Sequence, residues 1–160
     1  VDTIQGKTTA GTVAMPAGHV IQTVSQDTTA ETSISSTSYT ATGLSQAITP
    51  KFSSSKILIL VNLTSEVYQN GNASRSFYLQ TLRDSTEVAV RINNLYAGTA
   101  SNSYYSISAH STVSFLDSPN TTSSITYSVK GKVSSTTNST TFRIGYTNST
   151  STLTLFEIAG

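Results

Sequence analysis

From Ile125 to Val133 the chain alternates with a period of two. Ile125, Tyr127, Val129, Gly131 and Val133 take one set of positions, and Thr126, Ser128, Lys130 and Lys132 take the other. Only an extended strand sends such sets to opposite faces, one buried and one wet. Half-buried strands of this kind belong to antiparallel sheets. The pattern returns at Phe142, Ile144 and Tyr146, and at Leu153 and Leu155 before Phe156-Glu157-Ile158. It returns again where Thr86, Val88, Val90 and Ile92 alternate with Glu87, Ala89 and Arg91. Val88, Ile92 and Leu95 also fall at helical spacing there, and the strand is the preferred reading. Near the start, beyond His19, Val20, Gln22 and Val24 alternate with Ile21, Thr23 and Ser25.

Other segments fill in the frame. Lys56 to Val67 opens on a continuous apolar run, Ile57 to Val61, which predicts a strand buried on both faces. Thr32 to Thr42 reads as a weak, polar strand, punctuated by Gly43 before Leu44 to Ile48. Asn70-Gly71 is a turn signal of the hairpin kind. Asp84-Ser85-Thr86 separates Ser76 to Arg83 from Glu87 to Asn93 as a short hairpin loop. Tyr104 to Ala109 and Thr112 to Leu116 precede the turn Asp117-Ser118-Pro119-Asn120. The total is eight to ten short strands with no convincing long helix and no internal repeat. The predicted fold is all-β, an antiparallel β-sandwich of jelly-roll type. Its expected core is Ile57, Ile59, Val61, Phe77, Leu79, Ile125, Tyr127, Val129, Phe142, Ile144 and Leu155.

Composition then sets the domain plan and removes several functions. The 160 residues suit one domain. We expect residues 1–18, which hold Pro16 and three of the nine glycines, to form an extended lead-in or linker. Residues 19–160 form the sandwich. Ser and Thr supply 35% of the chain while charged residues supply 11%, so the solvent-facing strand positions are hydroxylic rather than ionic. The net charge is +1 and the basic residues are scattered, which argues against nucleic acid as a partner. No apolar run reaches the roughly 20 residues of a membrane-spanning helix, and no membrane insertion is expected. The absence of Cys removes disulfides and thiolate chemistry. Asn62, Asn72, Asn120, Asn138 and Asn148 head Asn-x-Ser/Thr triplets, which arise by chance in a chain so rich in Ser and Thr.

Catalysis needs titratable groups that converge. His110 with Asp117 and some serine can be drawn as a triad, but no G-x-S-x-G elbow supports it; His110 reads as a strand-end residue. His19 reads as a packing or hydrogen-bonding residue at a strand entrance. Asp84 and Glu87 read as hairpin caps rather than a glycosidase pair. Asp27 and Glu31 lack calcium-loop spacing, and neither zinc nor phosphate-loop motifs occur. The chain is therefore expected to be no enzyme and to need no cofactor or metal. What remains for function is aromatic and amide. Tyr68, Asn70, Asn72, Tyr96, Asn102, Tyr104 and Tyr105 gather near turns, and Tyr with Asn makes adaptable recognition surfaces. The competing reading buries these tyrosines in the domain or at a subunit interface.

VDTIQGKTTAGTVAMPAGHVIQTVS resembles a lead-in of structural proteins of marine bacteriophages. Gly43-Leu44 through Ile48-Thr49-Pro50, the run Ser53 to Ile59, Leu82-Arg83-Asp84-Ser85-Thr86-Glu87 and Leu153 to Ile158 match the same group in order. The resemblance implies a tail-fibre tip or virion appendage domain, located in the virion, assembled as a homotrimer with other virion proteins and able to attach to a host-surface glycan or protein. It implies no catalytic residue. Tyr68 to Asn72 and Asn93 to Ser103 fall outside the matching pieces, so partner specificity is expected there. A capsid decoration or head-fibre protein is the first alternative, and a carbohydrate-binding module the second.

Overall fold

A computed structural model describes residues 15–71, 75–95 and 104–160. The strands are β1 (Val20–Thr28), β2 (Thr32–Ile34), β3 (Thr40–Ile48), β4 (Lys56–Asn70), β5 (Arg75–Arg83), β6 (Thr86–Leu95), β7 (Tyr104–Asp117), β8 (Ile125–Val133), β9 (Thr141–Ile144) and β10 (Ser151–Ile158). Helix among the described residues is confined to two 3-10 turns, Thr137–Ser139 and Tyr146–Asn148. Every strand pair is antiparallel. The first sheet runs β1-β10-β4 with β7 on the other side of β4, and the second runs β3-β8-β5-β6. Successive long strands thus alternate between sheets, except the hairpin β5-β6. This is the eight-strand double Greek key of a jelly roll. The short strands β2 and β9 extend the first sheet beside the second half of β4.

The predicted alternation becomes the core. All eleven expected core residues are buried. Phe77 of the second sheet stacks on Phe142 of the first, with ring centroids 4.2 Å apart. Gly131 faces this stack: a Cβ there would meet Ile34 Cδ1 at 3.0 Å and the Phe142 ring at 3.4 Å. The lack of a side chain lets β2 and β9 close over β8.

Several expectations need correcting. Gly43 does not separate two strands. It sits inside β3 with φ of +86°, where the register to β8 shifts, and so makes a bulge. The weak strand read over Thr32 to Thr42 is β2 plus the start of β3. Asn70-Gly71 closes no hairpin, because β4 and β5 belong to different sheets. The two segments between Tyr104 and Leu116 are one strand, β7, paired with β4 from end to end. Tyr146 lies past the end of β9, in a 3-10 turn. The run Ile57 to Val61 is buried on one face only: Leu58 and Leu60 point outward and are half-buried.

The sandwich has two unlike ends. One end joins the entrance of β1 to the exit of β10: Gly18 N donates to Ala159 O at 2.8 Å and Ala159 N to His19 O at 2.8 Å. Buried Glu157 secures the neighbouring loop there, accepting from Gln22 Nε2 at 2.6 Å and Lys51 N at 2.7 Å. At the same end Asp117 ties the sheets together. It accepts from Arg83 Nη1 at 2.7 Å and from Tyr127 Oη at 2.7 Å. Burial, and then the Asp117 carboxylate, push the Tyr127 phenol far above its ordinary pKa. The other end holds the far end of β4, the start of β7 and the two 3-10 turns.

Candidate functional site

Antiparallel pairing sets residues side by side on one face, and at the far end it builds a polar cluster on the outer face of the first sheet. Glu66 of β4 lies opposite Arg143 of β9. Glu66 is buried despite facing outward. Arg143 Nη1 donates to Glu66 Oε2 at 3.2 Å, and its Nε stands 3.8 Å from Glu31 Oε1. Ser106 Oγ donates to Glu66 Oε1, and Ser33 Oγ to Glu31 Oε1 at 3.3 Å. The guanidinium lies 5.3 Å from the Tyr68 ring centroid and 5.6 Å from that of Tyr146. The result is an aromatic-flanked ion pair, with the Arg143 side chain 31% exposed.

The outer face of the second sheet carries a different row. Lys132 Nζ sits 4.6 Å from the Tyr39 centroid and 5.0 Å from that of Tyr78. Ile92, paired with Tyr78, continues the row and is exposed. Lys130, two residues before Lys132 on the same strand face, is paired with Gln80. Burial, with the charge of Glu87 behind it, raises the Tyr39 phenol above its usual pKa.

Of the sequence-predicted site residues, Tyr68 belongs to the first cluster. Asn70 ends β4 two residues on, paired with Tyr104, and Tyr105 is paired with Gln69. The fold therefore brings Tyr68, Asn70, Tyr104 and Tyr105 to one end of the β4-β7 ladder. Asn72, Tyr96 and Asn102 lie outside the described residues. Arg143, Glu66 and Tyr146 were missed. A lone arginine in a Thr-rich segment gives no local signal, and its partner Glu66 is distant in sequence.

The alternative chemistries take definite positions. His110 lies in the middle of β7, not at its end, and is exposed, with Nδ1 3.4 Å from Thr64 Oγ1. Seven residues of extended strand, about 23 Å, separate it from Asp117 on the opposite face, so these two form no triad. Asp84 caps the β5-β6 hairpin, with φ of 51° and Oδ1 accepting from Thr126 N at 2.9 Å. Glu87 accepts from Gln80 Nε2 at 2.5 Å. His19 holds the entrance of β1, its Nδ1 3.0 Å from Pro16 O. Among the described residues no three His, Cys, Asp or Glu groups lie close enough to share a metal ion.

By strand order the chain is a jelly-roll β-sandwich with polar clusters spread over two outer faces. No family model matches it, and no curated protein matches it. Among solved structures, a chain of the T13 IBDV viral particle aligns with a TM-score of 0.36 at 11% identity, over 88% of this chain and 36% of that one. A chain from the infectious bursal disease virus Gx strain gives 0.33 at 15% identity, over 88% and 39%. This chain spans less than half the length of either. Likeness at this level carries no argument about role.

Proposed function

We propose that this chain is a structural module of a virion, a jelly-roll domain that self-associates and presents its far end to a host surface. The observation that carries the reading is the strand order β1-β10-β4-β7 over β3-β8-β5-β6, an arrangement used by viral capsid domains. The resemblance to marine bacteriophage structural proteins supports the same reading from the sequence side. Within it, the fibre-tip form fits the polarity of the molecule. Gly18 and His19 meet Ala159 at one end. Tyr68, Arg143 and Tyr146 stand at the other, where a receptor would be met. The reading assigns no catalysis: His110, Asp117, Asp84 and Glu87 each have a structural place. Immunogold labelling of purified particles tests it. Label at a fibre tip supports the attachment form, and label over the shell supports the decoration form. Particles without label contradict the virion assignment.

A carbohydrate-binding module is the second reading, favoured by the Tyr39-Lys132-Tyr78 row on an open sheet face, because jelly rolls also serve as lectin domains. A glycan array separates the two: tight, saccharide-specific binding lost in Tyr78→Ala supports a binding module.

A further inference from the structure

Asn70-Gly71 signals a hairpin that the fold does not make, and the pair keeps a chemical property of its own. Asparagine amides are among the thermolabile groups of proteins, and this is the one Asn-Gly pair in the chain. Asn70 is the last residue of β4, paired with Tyr104, and is exposed. Gly71 lies beyond the ladder with φ of +109°, a backbone that residues with a side chain rarely adopt. Space demands glycine there as well: a Cβ would meet Asn138 Nδ2 at 3.0 Å and Cγ at 3.1 Å. The residue after Asn70 therefore lacks a side chain for two independent reasons, and the labile pair is built into the end of β4.

We propose that Asn70 is a site of spontaneous modification, at which the side-chain amide becomes a carboxylate through a cyclic imide. The Gly71 amide nitrogen loses its proton and attacks Asn70 Cγ. A C–N bond forms, the Cγ–Nδ2 bond breaks, and Nδ2 leaves as ammonia. Water then opens the imide at either carbonyl, giving aspartate or isoaspartate, and nothing is oxidised or reduced. Two things oppose such a ring closure: a Cβ that crowds the attacking residue, and ladder pairing that holds its nitrogen away. Gly71 meets neither. Asn62 meets both, since Leu63 follows it and is paired with Ser111 in mid-strand. Asn120, Asn138 and Asn148 precede Thr121, Ser139 and Ser149, which all carry a Cβ. Asn70 shares a strand face with Glu66 and Tyr68, so the acid adds a negative charge beside the Arg143 cluster. Isoaspartate also inserts a carbon into the main chain where β4 meets the start of β7, which the pleat of a strand does not match. The modification goes beyond the proposed function and does not depend on it.

The test is peptide mapping by mass spectrometry on the full chain, aged at body temperature in mildly alkaline buffer. A synthetic peptide of residues 66–75 ages beside it as a clock. The expected result is the mass gain of an amide replaced by an acid at Asn70, several-fold faster than at Asn62, Asn120, Asn138 or Asn148. The product should divide between aspartate and isoaspartate. Asn70→Gln, a change at an exposed position, should abolish the gain there, because its longer side chain closes a larger ring; circular dichroism checks that the variant stays folded. Asn70 left intact in the chain after the peptide has converted overturns the site. Conversion at equal rates across these asparagines overturns the selection of Asn70 by the strand end. Aspartate as the sole product overturns the imide route.

Discussion

The two outer faces of the sandwich solve the same problem in opposite ways. Both lie over the same core, and both belong to sheets whose inner faces are Ile, Val, Leu, Phe and Tyr. On the second sheet the outward row is Tyr39, Lys132, Tyr78 and Ile92, in which an ammonium sits between two phenol rings. Water can cover most of that row, because each tyrosine and the lysine keep a polar end in solvent, and only Ile92 at its end is exposed without one. On the first sheet the matching positions near the chain termini are Phe156, Leu58 and Leu116, which have no polar end. A face of that kind costs free energy in water and gains it back only when covered. The difference teaches that burial on both faces was written into β4 at Ile57 to Val61, while one sandwich supplies cover for only one of them.

The sharpest probe of this contrast lies within one strand. Ile59 and Leu58 are neighbours, the first fully buried between the sheets and the second outward. Ile59→Ala is expected to destabilise the chain by about 2–5 kcal/mol at any protein concentration. Leu58→Ala is expected to cost less, about 1.5 kcal/mol at most, because its side chain is only half-buried. Urea unfolding reads both, and equal costs would break the comparison.

The polar end of the first sheet gives the next effect. Arg143→Ala strands the buried Glu66 carboxylate with Ser106 as its remaining hydrogen-bond donor, and about 1.5–3 kcal/mol should be lost. Arg143→Lys should recover only part, since an ammonium lacks the guanidinium fork. Full recovery would show that charge alone matters there.

Tyr127 tests the tie between the sheets. Its phenol is held protonated by burial and by Asp117, so its folded pKa lies above the unfolded value near 10. The stability it contributes is complete below pH 10. Above that pH the unfolded phenol ionises first, and stability falls with a slope of up to about 1.4 kcal/mol per pH unit. Tyr127→Phe should cost about 0.5–1.5 kcal/mol at neutral pH and flatten that alkaline slope. An unchanged slope would remove the buried phenol from the account.

The smallest effect belongs to the wet face. Lys132→Ala removes two cation–ring contacts at a half-exposed site and should cost about 0.5–1 kcal/mol, with no change in association. A change in oligomeric state would place a subunit contact on the second sheet.

What the sequence made legible was the inward face of the central period-two strands. Tyr127 and Val129 or Phe142 and Ile144 announce their inward face within a few residues, and all eleven expected core positions are buried. Gly43 was read as a break because a bulge and a turn look alike in one strand; the partner β8 decides between them. Asn70-Gly71 carried a hairpin signal that topology overrode. The candidate site was half legible: Tyr68 and Asn70 stood out as an aromatic and an amide near a turn, whereas Glu66 and Arg143 meet only through the β4-β9 register. The apolar row was hidden for the same reason. Leu58, Leu116 and Phe156 each look like core in their own segments, and only long-range register puts them together on the outside.

The most direct test of the two-faced account is hydroxyl-radical footprinting read by mass spectrometry. The account predicts that Leu116 on the first sheet and Ile92 on the second are readily oxidised, while Ile59 and Leu155 between the sheets are protected. Protection of Leu116 together with oxidation of Ile59 would contradict it.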